Sequence, residues 1–123
     1  MKFDELSNQI IGLALEVHRE LGPGLLESAY KQCLCHELSN AHLNFILERQ
    51  FPVIYKGMEI DSKYRIDLII EDKLALELKS IETILPIHEA QILTYMKLAK
   101  INLGLLINFN VKLLKDGIKR FVI

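Results

Sequence analysis

Residues 66–79 read IDLIIEDKLALELK, two apolar runs joined by the polar residues Glu71, Asp72 and Lys73. Short Ile- and Leu-rich runs on either side of a tight polar turn form an antiparallel hairpin. Facing residues in a hairpin have a constant sum of numbers, and a loop of residues 71 to 73 makes that sum 144. Ile70 then opposes Leu74, Leu68 opposes Leu76, and Asp67 opposes Glu77. Side chains alternate between the faces of a strand, so Leu68, Ile70, Leu76 and Leu78 share one face and Asp67, Glu77 and Lys79 the other. A two- or four-residue loop would put the two acids on opposite faces instead.

Facing carboxylates stand with their Cβ atoms about 4.5–5.5 Å apart, and like charges so placed destabilise a sheet. A divalent cation between them reverses the sign of that interaction. The alternative is a solvated sheet face on which Lys79 neutralises one of the two acids.

Outward from the hairpin, residues 4–21 set Leu6, Ile10, Leu13, Ala14, Val17 and Leu21 at steps of three and four, which predicts an amphipathic helix stopped by Gly22. Gly22, Pro23 and Gly24 break the chain before a second helical pattern through Leu26, Ala29, Tyr30, Cys33, Leu34 and Leu38. From Phe45 to Tyr55 apolar residues fall at even spacings, and after a turn at Lys56, Gly57 and Met58 a second such run leads from Ile60 to Ile70. Pro52 marks an edge or a bulge in the first of these strands. Residues 88–100 return to helical spacing after Pro86, and LGLLINF and IKRFVI form two last strands. The expected architecture is α/β, one central mixed β-sheet flanked by helices, in one domain over residues 1–123.

With 123 residues, half of them apolar, a core can form without disulfides or structural zinc. Cys33 and Cys35 lie two apart on a helix and point in different directions, so they are expected as free thiols. A net charge of −1 argues against binding nucleic acid by bulk charge alone. Residues 1–50 carry 4 basic and 7 acidic groups and residues 51–123 carry 11 and 9, so an anionic ligand favours the second half. Lys112, Lys115, Lys119 and Arg120 form a loose basic group there that would track a nucleic-acid backbone or simply keep a sheet edge soluble. No apolar run approaches the roughly 20 residues that span a bilayer, and the first 20 residues lack a signal-peptide pattern. The expectation is a cytoplasmic protein with no membrane partner.

Asp67, nine further residues, then Glu77-Leu78-Lys79 resemble the active-site pattern of the PD-(D/E)XK nuclease superfamily. The run Gly24-Leu25-Leu26-Glu27-Ser28-Ala29-Tyr30 resembles the namesake motif of its GxxExxY family, and Gln91-Ile92-Leu93-Thr94-Tyr95 resembles the Q-x-x-x-Y of the helix that follows the active-site strands. Ile66 stands where the superfamily name has proline. The resemblance implies a restriction-endonuclease-like core in which Asp67, Glu77 and the backbone carbonyl of Leu78 ligate Mg²⁺ or Mn²⁺. It further implies that Lys79 orients or deprotonates the attacking water, and that Glu27 holds a metal-bound water or a second ion. Gln91 and Tyr95, four apart on one helical face, would contact a phosphate or brace the metal site.

Each motif residue also has a plainer reading. Glu27 suits the positive end of a helix dipole, Tyr30 and Tyr95 suit a core with a bonded hydroxyl, Gly24 suits a turn, and His88 suits a solvated helix start. Three functions of different class follow. One is a metal-dependent nuclease hydrolysing phosphodiester bonds, in DNA before RNA. The second is a non-catalytic nucleic-acid-binding or assembly module that keeps the nuclease-like fold. In the third the apolar first helix, with Leu13, Ala14 and Val17, serves an oligomeric interface and the protein is structural within a homodimer or a larger complex. The complete set Asp67, Glu77 and Lys79 favours the enzyme; the near-neutral charge favours the module.

Overall fold

A computed structural model describes residues 4–60 and 64–123. Helix α1 (Glu5–Leu21) starts where the Asp4 carboxylate accepts the N–H groups of Leu6 and Ser7 at 3.3 and 3.0 Å, two donors that a first turn leaves unpaired. Its buried residues Ile10, Ala14 and Val17 follow the predicted helical spacing. The chain then turns through Gly22 and Gly24 at φ 68° and 97°, conformations that glycine adopts without a Cβ clash. Helix α2 (Glu27–Asn40) sends the fully buried Tyr30 back under this turn. The Tyr30 hydroxyl donates to the Gly22 carbonyl and accepts the Leu25 N–H, while its ring stacks on Phe109 with centroids 4.4 Å apart.

Five strands follow where the even spacing predicts three. They are β1 (Phe45–Gln50), β2 (Val53–Tyr55), β3 (Met58–Ile60), β4 (Arg65–Ile70) and β5 (Leu74–Lys79). The first long predicted strand is divided in two at Phe51 and Pro52, and β1 pairs with β4 at a residue sum of 115 whereas β2 pairs with β3 at 113. Pro52 has no N–H for a ladder, and Phe51 beside it is buried against the side of the sheet covered by the third helix. The predicted run from Ile60 to Tyr64 crosses residues 61–63, which lie outside the described residues.

The central hairpin keeps the sum of 144, with Ile70 facing Leu74 and Leu68 facing Leu76. Lys73 N–H closes the turn on the Ile70 carbonyl at 3.0 Å. Glu71 and Asp72 both take φ 54°, which Asp tolerates better than Glu. Asn44 holds Glu71 in place: its carbonyl accepts the Glu71 N–H at 2.9 Å, and its own N–H donates to the Glu71 carboxylate at 3.1 Å.

Helix α3 (Pro86–Ala99) crosses from β5 to β6 (Leu103–Asn108), which runs parallel to β5, and β7 (Ile118–Val122) closes the sheet in the order β1-β4-β5-β6-β7. His88 Nδ1 accepts the Leu85 N–H at 2.9 Å, a helix-start role. Close approach of α3 to β6 depends on Gly104, where a Cβ would lie 2.4 Å from Met96 Sδ.

The two faces of the sheet divide the core. Leu68, Ile70, Leu74, Leu76 and Leu78 pack with α1 and α2, while Ile69, Ala75 and Leu106 pack with Ile92 and Met96 of α3. Each fully buried Leu or Ile contributes about 1.5–3 kcal/mol relative to exposure. The result is the expected α/β arrangement, a mixed sheet flanked by helices. The loose basic group is divided by strand alternation: Lys119 lies 3.8 Å from Glu89 of α3, whereas Arg120 donates to Asn8 of α1 at 2.7 Å. Among the described residues no helix is long and apolar enough to cross a membrane.

Candidate metal and catalytic site

The β4–β5 ladder stops at Leu68 and Leu76, one pair short of Asp67 and Glu77. Side chains take over there. Asp67 N–H donates to Glu77 Oε1 at 2.9 Å, and Leu78 N–H donates to Asp67 Oδ2 at 2.9 Å. Each carboxylate thus reaches across to the backbone of the opposite strand. The β1–β4 ladder also lapses at this point, between Leu47–Leu68 and Arg49–Ile66, and the skipped residue Glu48 has φ 52°. Asp67 is therefore the residue at which the strand β4 loses pairing on both sides. Such interruptions re-aim side chains and free backbone donors, and here both acids use those donors.

Glu77 is 7% exposed, and its carboxyl is pushed up to about 8. Burial is the main cause and the Asp67 charge adds to it, against lowering by the Asp67 N–H and by Lys79. The neutral form of Glu77 is thus favoured when no cation compensates it. Lys79, two residues on, is half-buried on the same strand and forms no ion pair among the described residues. The Leu78 side chain is buried on the opposite face, in the α1–α2 core, while its backbone stays beside Asp67.

Glu27 is the first residue of α2, and it enters the same field. Its carboxyl is raised, first by burial and then by Asp67, with Lys79 and Lys31 opposing. The start of α2 is tied to the end of β5 by Ser80, whose hydroxyl donates to the Leu25 carbonyl at 2.6 Å. Tyr95 of α3 also senses the acids: burial raises its phenol most, the Gln91 bond lowers it, and the charges of Glu77, Tyr64 and Asp67 raise it. Gln91 Nε2 donates to the Tyr95 hydroxyl at 2.8 Å, so Gln91 is linked to the acids through Tyr95. The plainer reading of Tyr30 agrees with its buried hydroxyl bonds, which brace the turn before Glu27 rather than meeting the acids.

Two participants have no counterpart in the sequence reading. Lys31, one helical turn after Glu27, donates to Asp67 Oδ1 at 3.0 Å and lies 3.5 Å from Glu48 Oε1. The only sequence signal for it was the four-residue spacing from Glu27, which sets both on one helix face. Nothing local marks Glu48.

No group of three or more His, Cys, Asp or Glu side chains is arranged to hold a metal ion among the described residues. The donor set has to be two carboxylates completed by backbone and water. Glu77 Oε2 is buried and takes no hydrogen bond among the described residues, and Asp67 Oδ1 is held only by an ammonium. Hard carboxylate oxygens fit a hard divalent cation rather than a thiophilic metal.

A family model of the PD-(D/E)XK nuclease superfamily matches residues 4–121. The chain belongs to the PD-(D/E)XK nuclease superfamily. Searches among curated proteins and solved structures return no match. The α/β fold, with its five-stranded mixed sheet between helices, is consistent with the restriction-endonuclease-like fold of this superfamily. PD-(D/E)XK nucleases generally use divalent metals, and membership implies a nucleic-acid substrate.

Proposed function

We propose that the protein is a Mg²⁺- or Mn²⁺-dependent nuclease of the GxxExxY type that hydrolyses phosphodiester bonds in DNA, and less readily in RNA. The observation that carries this reading is the interlocked pair Asp67 and Glu77 at the end of the β4–β5 ladder, with one buried carboxylate oxygen unpaired and Lys79 two residues further on.

Asp67, Glu77 and the Leu78 carbonyl would hold the ion. Bound there, Mg²⁺ or Mn²⁺ supplies a water of lowered pKa and Lewis-acid stabilisation of phosphoryl oxygens. The Lys79 ammonium, which forms no ion pair among the described residues, orients the attacking water and offsets negative charge developing at phosphorus. Glu27, whose carboxyl is raised by burial and by Asp67, accepts or returns a proton at the water side of the site. Tyr95, held by Gln91, positions a phosphate oxygen at the α3 side.

The module reading is favoured by one observation. Lys31 already supplies Asp67 with a counter-charge without an ion. Cleavage of single- and double-stranded DNA and RNA with Mg²⁺ or Mn²⁺, beside the Glu77→Ala protein, separates the two. Activity lost in Glu77→Ala supports the nuclease. No cleavage by the wild-type protein across these substrates, with Mn²⁺ binding retained and lost in Asp67→Asn, supports the module.

A further inference from the structure

Tyr95 stands between the acids and an apolar groove of about 420 Å³, walled by Tyr64 and Val53 on one side and by Ile87, Gln91, Thr94 and Leu98 of α3 on the other. Tyr64 is 48% exposed. Its centroid lies 5.9 Å from that of Tyr95, which in turn packs edge-on against Phe51 at 5.2 Å. Exposed aromatic rings beside a hydrogen-bonding amide suit a flat heteroaromatic ligand with polar edges.

Resting on the nuclease reading, we propose that this groove receives an unpaired nucleobase next to the scissile phosphate, and that the substrate is single-stranded or locally unpaired nucleic acid. Continuity argues for that occupant. Tyr95, whose phenol feels the charges of Glu77 and Asp67, lines the groove together with its hydrogen-bond partner Gln91, so a strand with its phosphate at Asp67 and Glu77 carries a neighbouring base to the groove mouth. A volume of about 420 Å³ accommodates a base with part of its sugar, within the range of small-molecule sites.

Charge argues the same way. Lys31 is committed to Asp67 and Glu48, Arg65 lies 3.9 Å from Glu48, and Lys119 lies near Glu89. The chain carries a net −1, which leaves little surplus positive charge for gripping a duplex backbone. Base stacking contributes affinity without such charge, and it requires a base that is out of the helical stack.

The test measures anisotropy of labelled oligonucleotides of about 12 nucleotides, with Ca²⁺ in place of Mg²⁺. One strand is oligothymidylate and its control is an abasic strand with the same phosphates; a duplex is the third probe. Oligothymidylate is expected to bind about tenfold more tightly than the abasic strand. Tyr64→Ala and Thr94→Trp, the second filling the groove from an exposed helix position, should each remove most of that difference while Mn²⁺ binding is kept.

Equal binding of the thymidine and abasic strands, a duplex bound more tightly than the single strand, or an undiminished difference in both variants overturns the groove assignment. If cleavage and Asp67-dependent Mn²⁺ binding persist in that case, the nuclease reading stands without the groove. A base preference lost in Tyr64→Ala, in a protein that binds no Mn²⁺ and cleaves nothing, supports the groove and removes the nuclease reading. A dimer in sedimentation that Ala90→Arg converts to monomer assigns the groove to a second copy of the chain and overturns the proposal.

Discussion

Lys31 Nζ sits 3.0 Å from Asp67 Oδ1, and both side chains are only 16% exposed. An ammonium so placed occupies a carboxylate oxygen that a metal ion would need. The same ammonium lies 3.5 Å from Glu48, which offers it a second partner. Burial works to lower the Lys31 pKa, but the hydrogen bond and charge of Asp67, with Glu48 and Glu27, raise it overall, so the ammonium stays charged throughout the neutral range.

Removing that internal competitor should tighten metal binding. Lys31→Met is expected to raise Mn²⁺ affinity by about tenfold in titration calorimetry, an increment of about 1.4 kcal/mol. The same change should lower the stability of the ion-free protein in urea by about 1–3 kcal/mol, because Asp67 loses its counter-charge in a partly buried place. Unchanged Mn²⁺ affinity would mean that Lys31 and the ion do not share Asp67.

Stability of the ion-free protein should fall as pH rises. Glu77 has a reference value of 4.5 and is pushed up to about 8 when folded. Between these values the folded state binds a proton that the unfolded chain has lost, so the difference ν_U − ν_N is negative and stability declines with pH. The contribution is fully present below about 4.5 and lost as pH passes about 8. The decline, on the order of a few kcal/mol, should flatten in Glu77→Gln and in saturating Mn²⁺; an equal slope in all three, measured by denaturant titration, removes Glu77 as its origin.

Lys79→Ala separates chemistry from binding. If its ammonium acts on the water and on charge developing at phosphorus, cleavage should slow by roughly 10²-fold or more while nucleic-acid affinity stays within a few fold. Single-turnover rates and anisotropy measure the two quantities. A variant that cleaves as fast as wild type counts against the mechanism.

Tyr30→Phe should act through the fold alone. It removes a hydroxyl that bonds both Gly22 and Leu25 but keeps the ring stacked on Phe109. A loss of about 1–3 kcal/mol is expected from the buried groups left unpaired, with Mn²⁺ affinity changed by less than about threefold. A large loss of metal affinity at full stability would put Tyr30 in the site rather than beneath its entry turn.

The helices and the hairpin register are legible in the sequence because each rests on a local period. A three-residue loop sets the sum of 144 as far as Leu68 and Leu76, but simple alternation does not carry on through Asp67, since Ile66 packs with Ile69 rather than with Leu68. The division of the long strand near Pro52 was only half legible. A proline announces a break in pairing but does not tell that Val53 leaves the main sheet to pair with Ile60. The split of Lys119 from Arg120 was open to the same alternation argument, yet what each meets depends on helices far away in the chain.

What only the tertiary structure decided is the company the acids keep. Lys31 lies 36 residues from Asp67 in sequence, and Glu48 approaches from the neighbouring strand at a gap in the ladder. No periodicity encodes either contact, since each depends on where α2 lands when Tyr30 and Leu34 bury against the sheet. The burial of Glu77 and the upward push on its carboxyl are likewise properties of the assembled core. Local spacing set the register of the hairpin; packing of α2 and α3 on the two sides of the sheet determined how little water the Glu77 carboxyl retains and which charges it feels.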